Sequence, residues 1–480
     1  MRWELLALAG LLLLPSAASA QEDGDLRLMR EPHSYVDVAD AFDDDDPFDL
    51  NIRLGYRHEY TYGNIQRERG GLLLPGEMPS DPHRSTANWV DVAHFTHSRN
   101  ILDLGLDIGI FRDLAIFARM PIILSDDRSL SNSASGPSGA NRDMFLQADA
   151  DGDGDPSNDP LLFDVPFNSP TRSGLDYIEA GLMWSIFNQQ RDRALPTWLL
   201  MISGRFNAGD PLIPCSGGGG STNCREWVRN RADGTWNFSD GGGDAGETRG
   251  TNGLRIETRA SWRSGYVEPY AGLLFGIEWP AIAESFFLPA GNIRGFINQQ
   301  PPIVGELTGG IAIHPWENRA AYQRFSIDFR FQGRYTSEGH GYSPLFDALG
   351  TSQNRYLTEP NLEGTPTAGA DLRQVPFFGL TDSAPYASLG GRVGLQMRAA
   401  RFVSFSLGAG LWYIEPHVIT YTDACNPNVE DVPDSDPRTG TCRRGVINPH
   451  HRPAIDLPGR TYRQDESVRL ELSFQVTGMF

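Results

Sequence analysis

From Val468 onward the chain alternates. Val468, Leu470, Leu472, Phe474, Val476 and Phe480 are apolar, while Arg469, Glu471, Ser473, Gln475 and Thr477 between them are polar. Successive side chains on a β-strand point to opposite faces, so this segment is a strand with one oily face and one polar face. Only Gly478 interrupts the apolar series. A chain built from such strands must cover every oily face, either with protein, as in a soluble sandwich or propeller, or with lipid around a closed barrel.

The same rhythm recurs. In 48–62, Phe48, Leu50, Ile52, Leu54, Tyr56, Tyr60 and Tyr62 share one face; Asp49, Asn51, Arg53, Arg57 and Glu59 take the other. Further amphipathic segments lie near 89–111, 114–124, 175–187, 197–207, 253–264, 266–279, 303–315, 322–336, 385–399 and 402–421. Short polar turns, such as Arg112-Asp113, Gly265, Glu317-Asn318-Arg319 and Arg401, join alternate pairs. Long polar connections near 63–88, 125–173, 208–251, 280–302, 337–384 and 423–461 join the others. Short turns on one side and long loops on the other are the pattern of outer-membrane barrels, whose strand number is even. The expectation is an all-β protein, a transmembrane antiparallel β-barrel of about 12 strands over 48–480 with long extracellular loops. Tyr56, Tyr60, Tyr62, Trp184, Trp198, Trp262, Trp279, Tyr413 and Phe480 fall near strand ends, where interfacial girdles belong, whereas Trp412 has inward parity.

Composition must be reconciled with that expectation. The mean hydropathy of −0.36 is low for a membrane protein, but a barrel needs only one apolar face per strand. Residues 1–20, a charged start followed by an apolar run and Ala18-Ser19-Ala20, read as a cleaved secretory signal. No other stretch approaches the ~18 apolar residues of a membrane helix. Residues 21–47 read as an acidic N-terminal periplasmic segment, with Asp43 to Asp46 a solvated run. The formal net charge of −20 disfavours nucleic acid as a partner. Every basic residue is Arg, consistent with the codon usage of a GC-rich genome. The 4 Cys fall in two local pairs, Cys215 with Cys224 and Cys425 with Cys442. Pairing within each loop is the expected connectivity of three that are possible.

The aromatic terminal strand resembles the closing strand of Gram-negative outer-membrane β-barrels. The resemblance implies the cell outer membrane as location, with the barrel-assembly machinery, outer-membrane lipid and lipopolysaccharide as partners. Phe111-Arg112-Asp113-Leu114-Ala115, Phe187-Asn188-Gln189-Gln190-Arg191-Asp192, Phe325-Ser326-Ile327-Asp328 and Leu345-Phe346-Asp347-Ala348-Leu349-Gly350 look like a family of uncharacterised porin- or transporter-like barrels from high-GC Gram-negative bacteria. That likeness implies fold and location, not an activity.

Strand parity turns a charged set inward: Arg53, Arg57, Arg119, Arg255, Arg259, Arg330, Arg392, Arg398 and Arg469, with Asp103, Asp107 and Glu471. Two readings fit them. One is a polar conduit for small solutes, biased towards anions by its arginines; the other is an interior braced shut by Arg–carboxylate networks. In Asp149-Ala150-Asp151-Gly152-Asp153-Gly154-Asp155, the carboxylates at alternate positions and the Gly copy the first half of an EF-hand loop. Pro160 stands where the closing Glu belongs, so possible calcium binding by Asp149, Asp151, Asp153 and Asp155 is weighed against a solvated acidic loop. No other cofactor is indicated. No catalytic motif appears, and adjacent His97 and Ser98 point to opposite faces. The leading expectation is a non-enzymatic passive transport barrel. The rival is a surface protein that binds partners through its disulfide-tied loops.

Overall fold

A computed structural model describes residues 32–41, 49–68, 89–147, 160–218, 221–229, 236–281, 300–358, 377–426, 442, 446–448 and 450–480. Twelve antiparallel strands form the wall: β1 Leu50–Glu68, β2 Trp89–Phe111, β3 Leu114–Ser131, β4 Tyr177–Phe187, β5 Thr197–Asn207, β6 Thr251–Ser261, β7 Val267–Pro280, β8 Val304–Asn318, β9 Gln323–Thr336, β10 Tyr386–Ala400, β11 Val403–Ile414 and β12 Tyr462–Met479. Each pairs with its neighbour in sequence, and β1 pairs with β12 from Asn51↔Met479 to Arg67↔Tyr462. The sheet therefore closes on itself, which leaves no edge strand and satisfies the backbone within the ring.

The alternation read from sequence is realised side chain by side chain. Leu470, Leu472 and Phe474 on β12 are exposed, with Leu472 58 % accessible, and Ile52, Leu54 and Tyr56 on β1 match them. Leu182, Leu273, Phe331, Leu407 and Leu411 extend the same exposed band around the ring. A continuous apolar belt of this kind is untenable in water and is what a bilayer covers. Trp184, Trp198, Trp262 and Trp316 are exposed towards the short-turn end and Trp279, Tyr335 and Tyr413 towards the other, while Trp412 is buried inside at 5 %. The protein is an outer-membrane β-barrel.

Three strand ends differ from the sequence reading. The expected loops near 63–88 and 125–173 begin too early, because β1 continues to Glu68 and β3 to Ser131. The strand expected near 402–421 runs too far, because β11 ends at Ile414. Above the membrane neither face must be apolar, so charged pairs can stay in the ladder. Asp126 and Arg128 do so opposite Arg99 and His97. A membrane crossing takes ~9–11 residues. The 19, 23, 18 and 18 residues of β1, β2, β3 and β12 thus raise one tall side wall.

Against that wall the long loops fold into a cap. It contains α1 (Ala140–Leu146), α2 (Phe346–Gly350), α3 (Arg355–Thr358) and α4 (Pro453–Asp456). Phe145, Leu146, Leu162, Leu345, Leu349, Leu357 and Ile455 from these loops bury themselves with Ile65, Phe95, Leu130 and Tyr462 of the wall. Both disulfides, Cys215–Cys224 and Cys425–Cys442, lie in these loops as expected.

Candidate functional site in the barrel lumen

The inward charges form two zones. Towards the short-turn end they are tied to one another. Arg53 and Arg119 each place a guanidinium nitrogen 2.6 Å from a different oxygen of Asp107, which is fully buried. Arg57 reaches Glu59 at 2.5 Å and Asp103 at 3.1 Å, Arg255 pairs with Glu179 at 3.3 Å, and Arg392 pairs with Glu471 at 3.5 Å. Arg330 contacts Asp328 at 3.2 Å, and Asp328 accepts a hydrogen bond from the Tyr270 hydroxyl. Arg398 donates to the carbonyl of Arg401 at 2.9 Å, whereas Arg469, at the cap end of its strand, stacks over Trp412 at 4.7 Å.

A segment that the sequence assigned to the periplasm lies inside this zone. Residues 32–41 form a plug in the lumen, whereas Asp43 to Asp46, read as a solvated run, lie outside the described residues. The backbone N–H of His33 donates to both carboxylate oxygens of Glu268 at 3.0 Å, and Arg259 donates to the carbonyl of Tyr35 at 2.7 Å. The Tyr35 ring is covered by the guanidinium groups of Arg259 and Arg330, each 4.4 Å away. Tyr35 and Val36 pack on Tyr270 and Ala312, and Ala39 packs on Ala115, Phe117, Met183 and Leu199. Ala41 bridges to Arg112 at the turn between β2 and β3. Two glycines make room for it: a Cβ on Gly109 would sit 1.9 Å from the Asp40 carbonyl oxygen, and one on Gly272 would sit 2.4 Å from the Tyr35 hydroxyl. Sequence held a signal for this plug. Phe117, Met183 and Leu199 are apolar at inward parity, which a water-filled lumen does not explain.

Towards the cap the lumen opens into a chamber of about 480 Å³. Its wall includes Arg57, Arg99, Arg128, Arg205, Arg334 and Arg469 from the strands, and Tyr342, Ser343 and Pro344 close it from the cap. Arg205 lies 3.7 Å over the Tyr177 ring and 3.2 Å from Glu278. Arg99 links Asp126 at 3.3 Å to Asp176 at 3.4 Å. His97 and Asp126, 3.0 Å apart, face the chamber beside Ser129, but the Ser129 hydroxyl is hydrogen-bonded to Thr96 at 2.7 Å.

The cap holds a second His–carboxylate pair that sequence did not single out. His340 Nδ1 lies 2.6 Å from Asp382, with the His450 ring 5.6 Å from that of His340. Burial pushes the nearby Asp456 carboxyl up to about 8, although it accepts backbone hydrogen bonds from Arg452 and Thr422. Burial also lowers the His450 imidazole well below its ordinary value. Among the described residues no group of three or more His, Cys, Asp or Glu is placed to hold a metal ion. Asp149, Asp151, Asp153 and Asp155 lie outside the described residues.

No protein-family model matches the chain. No curated protein matches it either. Among solved structures it is similar to a Pseudomonas aeruginosa FadL homologue, at 8 % identity over 90 % of both chains with a TM-score of 0.31. It is similar to the toluene transporter TodX of P. putida, at 10 % identity over 95 % of this chain and 94 % of that one, TM-score 0.29. It is also similar to the outer membrane protease OmpT from Escherichia coli, at 7 % identity over 90 % of this chain and 96 % of that one, TM-score 0.27. Likeness at this level carries no activity from those proteins to this one.

Proposed function

We propose that the protein is a passive conduit for small polar solutes across the outer membrane, held shut at its periplasmic end by residues 32–41. The observation that carries this reading is the chamber: about 480 Å³ of space lined by arginine, tyrosine and carboxylate side chains inside a closed membrane barrel. An interior built only to brace the wall would fill that volume with side chains. Solutes enter between cap and wall, wait in the chamber, and pass when the plug moves aside. Liposome swelling tests this directly. Refolded full-length protein should admit small sugars and anions slowly, and a chain lacking residues 21–41 should admit them many times faster. No uptake through either protein would refute the conduit.

A second reading has its own support in the cap, whose buried apolar core makes it a folded unit rather than loose loops. In that reading the cap binds a surface ligand over a sealed barrel, and calcium on Asp149, Asp151, Asp153 and Asp155 belongs to it. Calcium-dependent heat in calorimetry of the whole protein, together with impermeable liposomes, would favour it over the conduit.

A further inference from the structure

The arginines of the chamber are not all paired. Its lining carries seven arginines against four carboxylates, Glu59, Asp126, Asp176 and Glu247. Five of the seven have fixed partners: Arg57 with Glu59, Arg99 and Arg128 with Asp126, and Arg205 and Arg249 with Glu278. Arg334 and Arg469 form no ion pair among the described residues. They differ in how they are held. Arg469 is fixed by the Trp412 ring under it. Arg334 stands on the inner face of β9, opposite Glu306 on β8 and Ser388 on β10, and more than a third of its surface is open to the chamber. Two residues further along β9, Thr336 pairs with Tyr386, which also lines the chamber while its ring is stacked on His417 at 3.8 Å.

An unpaired guanidinium in a small, protein-walled pool of water attracts a counter-charge more strongly than it would in bulk solvent, because the surroundings screen it less. Its planar fork of donors matches the two oxygens of a carboxylate or phosphate. We propose that the chamber is a binding site for a small oxyanion carrying two negative charges, a phosphate or a dicarboxylate, held by Arg334 and Arg469 with the Tyr386 hydroxyl as a further donor. The site rests on the conduit reading for the route by which its ligand arrives, and it makes that conduit selective: the anion exchanges fixed water for two guanidinium groups, and a neutral sugar does not. The volume suits a ligand of this size, at the small end of ordinary binding cavities.

The test is calorimetric titration of refolded full-length protein in detergent at low ionic strength, with inorganic phosphate in one arm and succinate in the other. At least one arm should saturate, and which one does identifies the oxyanion. Arg334→Gln and Arg469→Gln should each weaken that binding about tenfold or more, with the barrel intact by its heat-shifted migration in a gel. Tryptophan emission should change on saturation, and Trp412→Phe should remove most of that change. Unchanged affinity in both arginine variants, or no saturable heat with either anion, overturns the site. Liposome uptake separates this failure from failure of the conduit. Uptake without arginine-dependent binding leaves the route standing and removes the site, whereas arginine-dependent binding without uptake does the reverse.

Discussion

Single residues decide whether the cap holds together. Asp347 accepts from Arg172 at 2.6 Å, from the backbone of Cys215 at 3.0 Å and from Ser169 at 2.7 Å, so one buried carboxylate joins three loops. Its pair with Arg172 is almost wholly buried, at 1 % and 4 % side-chain exposure. Removing one member of such a pair strands the other charge, at a cost of about 3–5 kcal/mol. Asp347→Asn should therefore open the cap to protease on intact cells while the barrel stays folded. Asp456 gives a pH dependence. Its carboxyl titrates near 8 when folded, above the ordinary carboxylate range, so the folded cap binds a proton that the unfolded chain has released. This contribution is complete below pH ~4 and is lost as pH rises towards ~8. Cap unfolding followed by limited proteolysis should be harder at pH 5 than at pH 8, and Asp456→Asn should flatten that difference. Neither role was legible in the sequence, because both depend on loops brought together from distant parts of the chain.

At the scale of elements the strands were legible, whereas the plug left only an indirect trace in the apolar inward positions Phe117, Met183 and Leu199. Period-2 alternation survives wherever lipid demands it, which is why all twelve strands could be read and why their boundaries slipped only beyond the membrane. The plug follows no such rule. His33 to Ala41 has no long periodic run, and its partners Glu268, Tyr270 and Ala312 lie more than two hundred residues away. The lumenal arginines were legible by parity, but their partners were not, since Arg53, Asp107 and Arg119 come from three strands. Gly109 offers a test confined to this element. Valine suits a strand, yet its side chain would occupy the space of the Asp40 carbonyl. Gly109→Val should leave the barrel folded, displace the plug and raise single-channel conductance in planar bilayers several-fold. Unchanged conductance would mean that residues 32–41 do not close the channel.

The whole molecule consists of a ring held by lipid and a cap held by its own apolar core. These two parts respond to different conditions, so heating in detergent should give two transitions. Protease sensitivity of the cap should rise first, and loss of the β-sheet circular dichroism signal should come later. A single coincident transition would show that the tall wall of β1, β2, β3 and β12 couples them into one cooperative unit. The stopper has a further consequence. Its last residues are tied to the ring directly, Ala41 to Arg112 through two backbone hydrogen bonds and the Asp40 carbonyl to the N–H of Asp49 at 3.2 Å. Pinned at its head by Glu268 and at its foot by the hairpin of Arg112, the stopper must break several bonds at once before it can leave, so it behaves as a bolt and not as a flap.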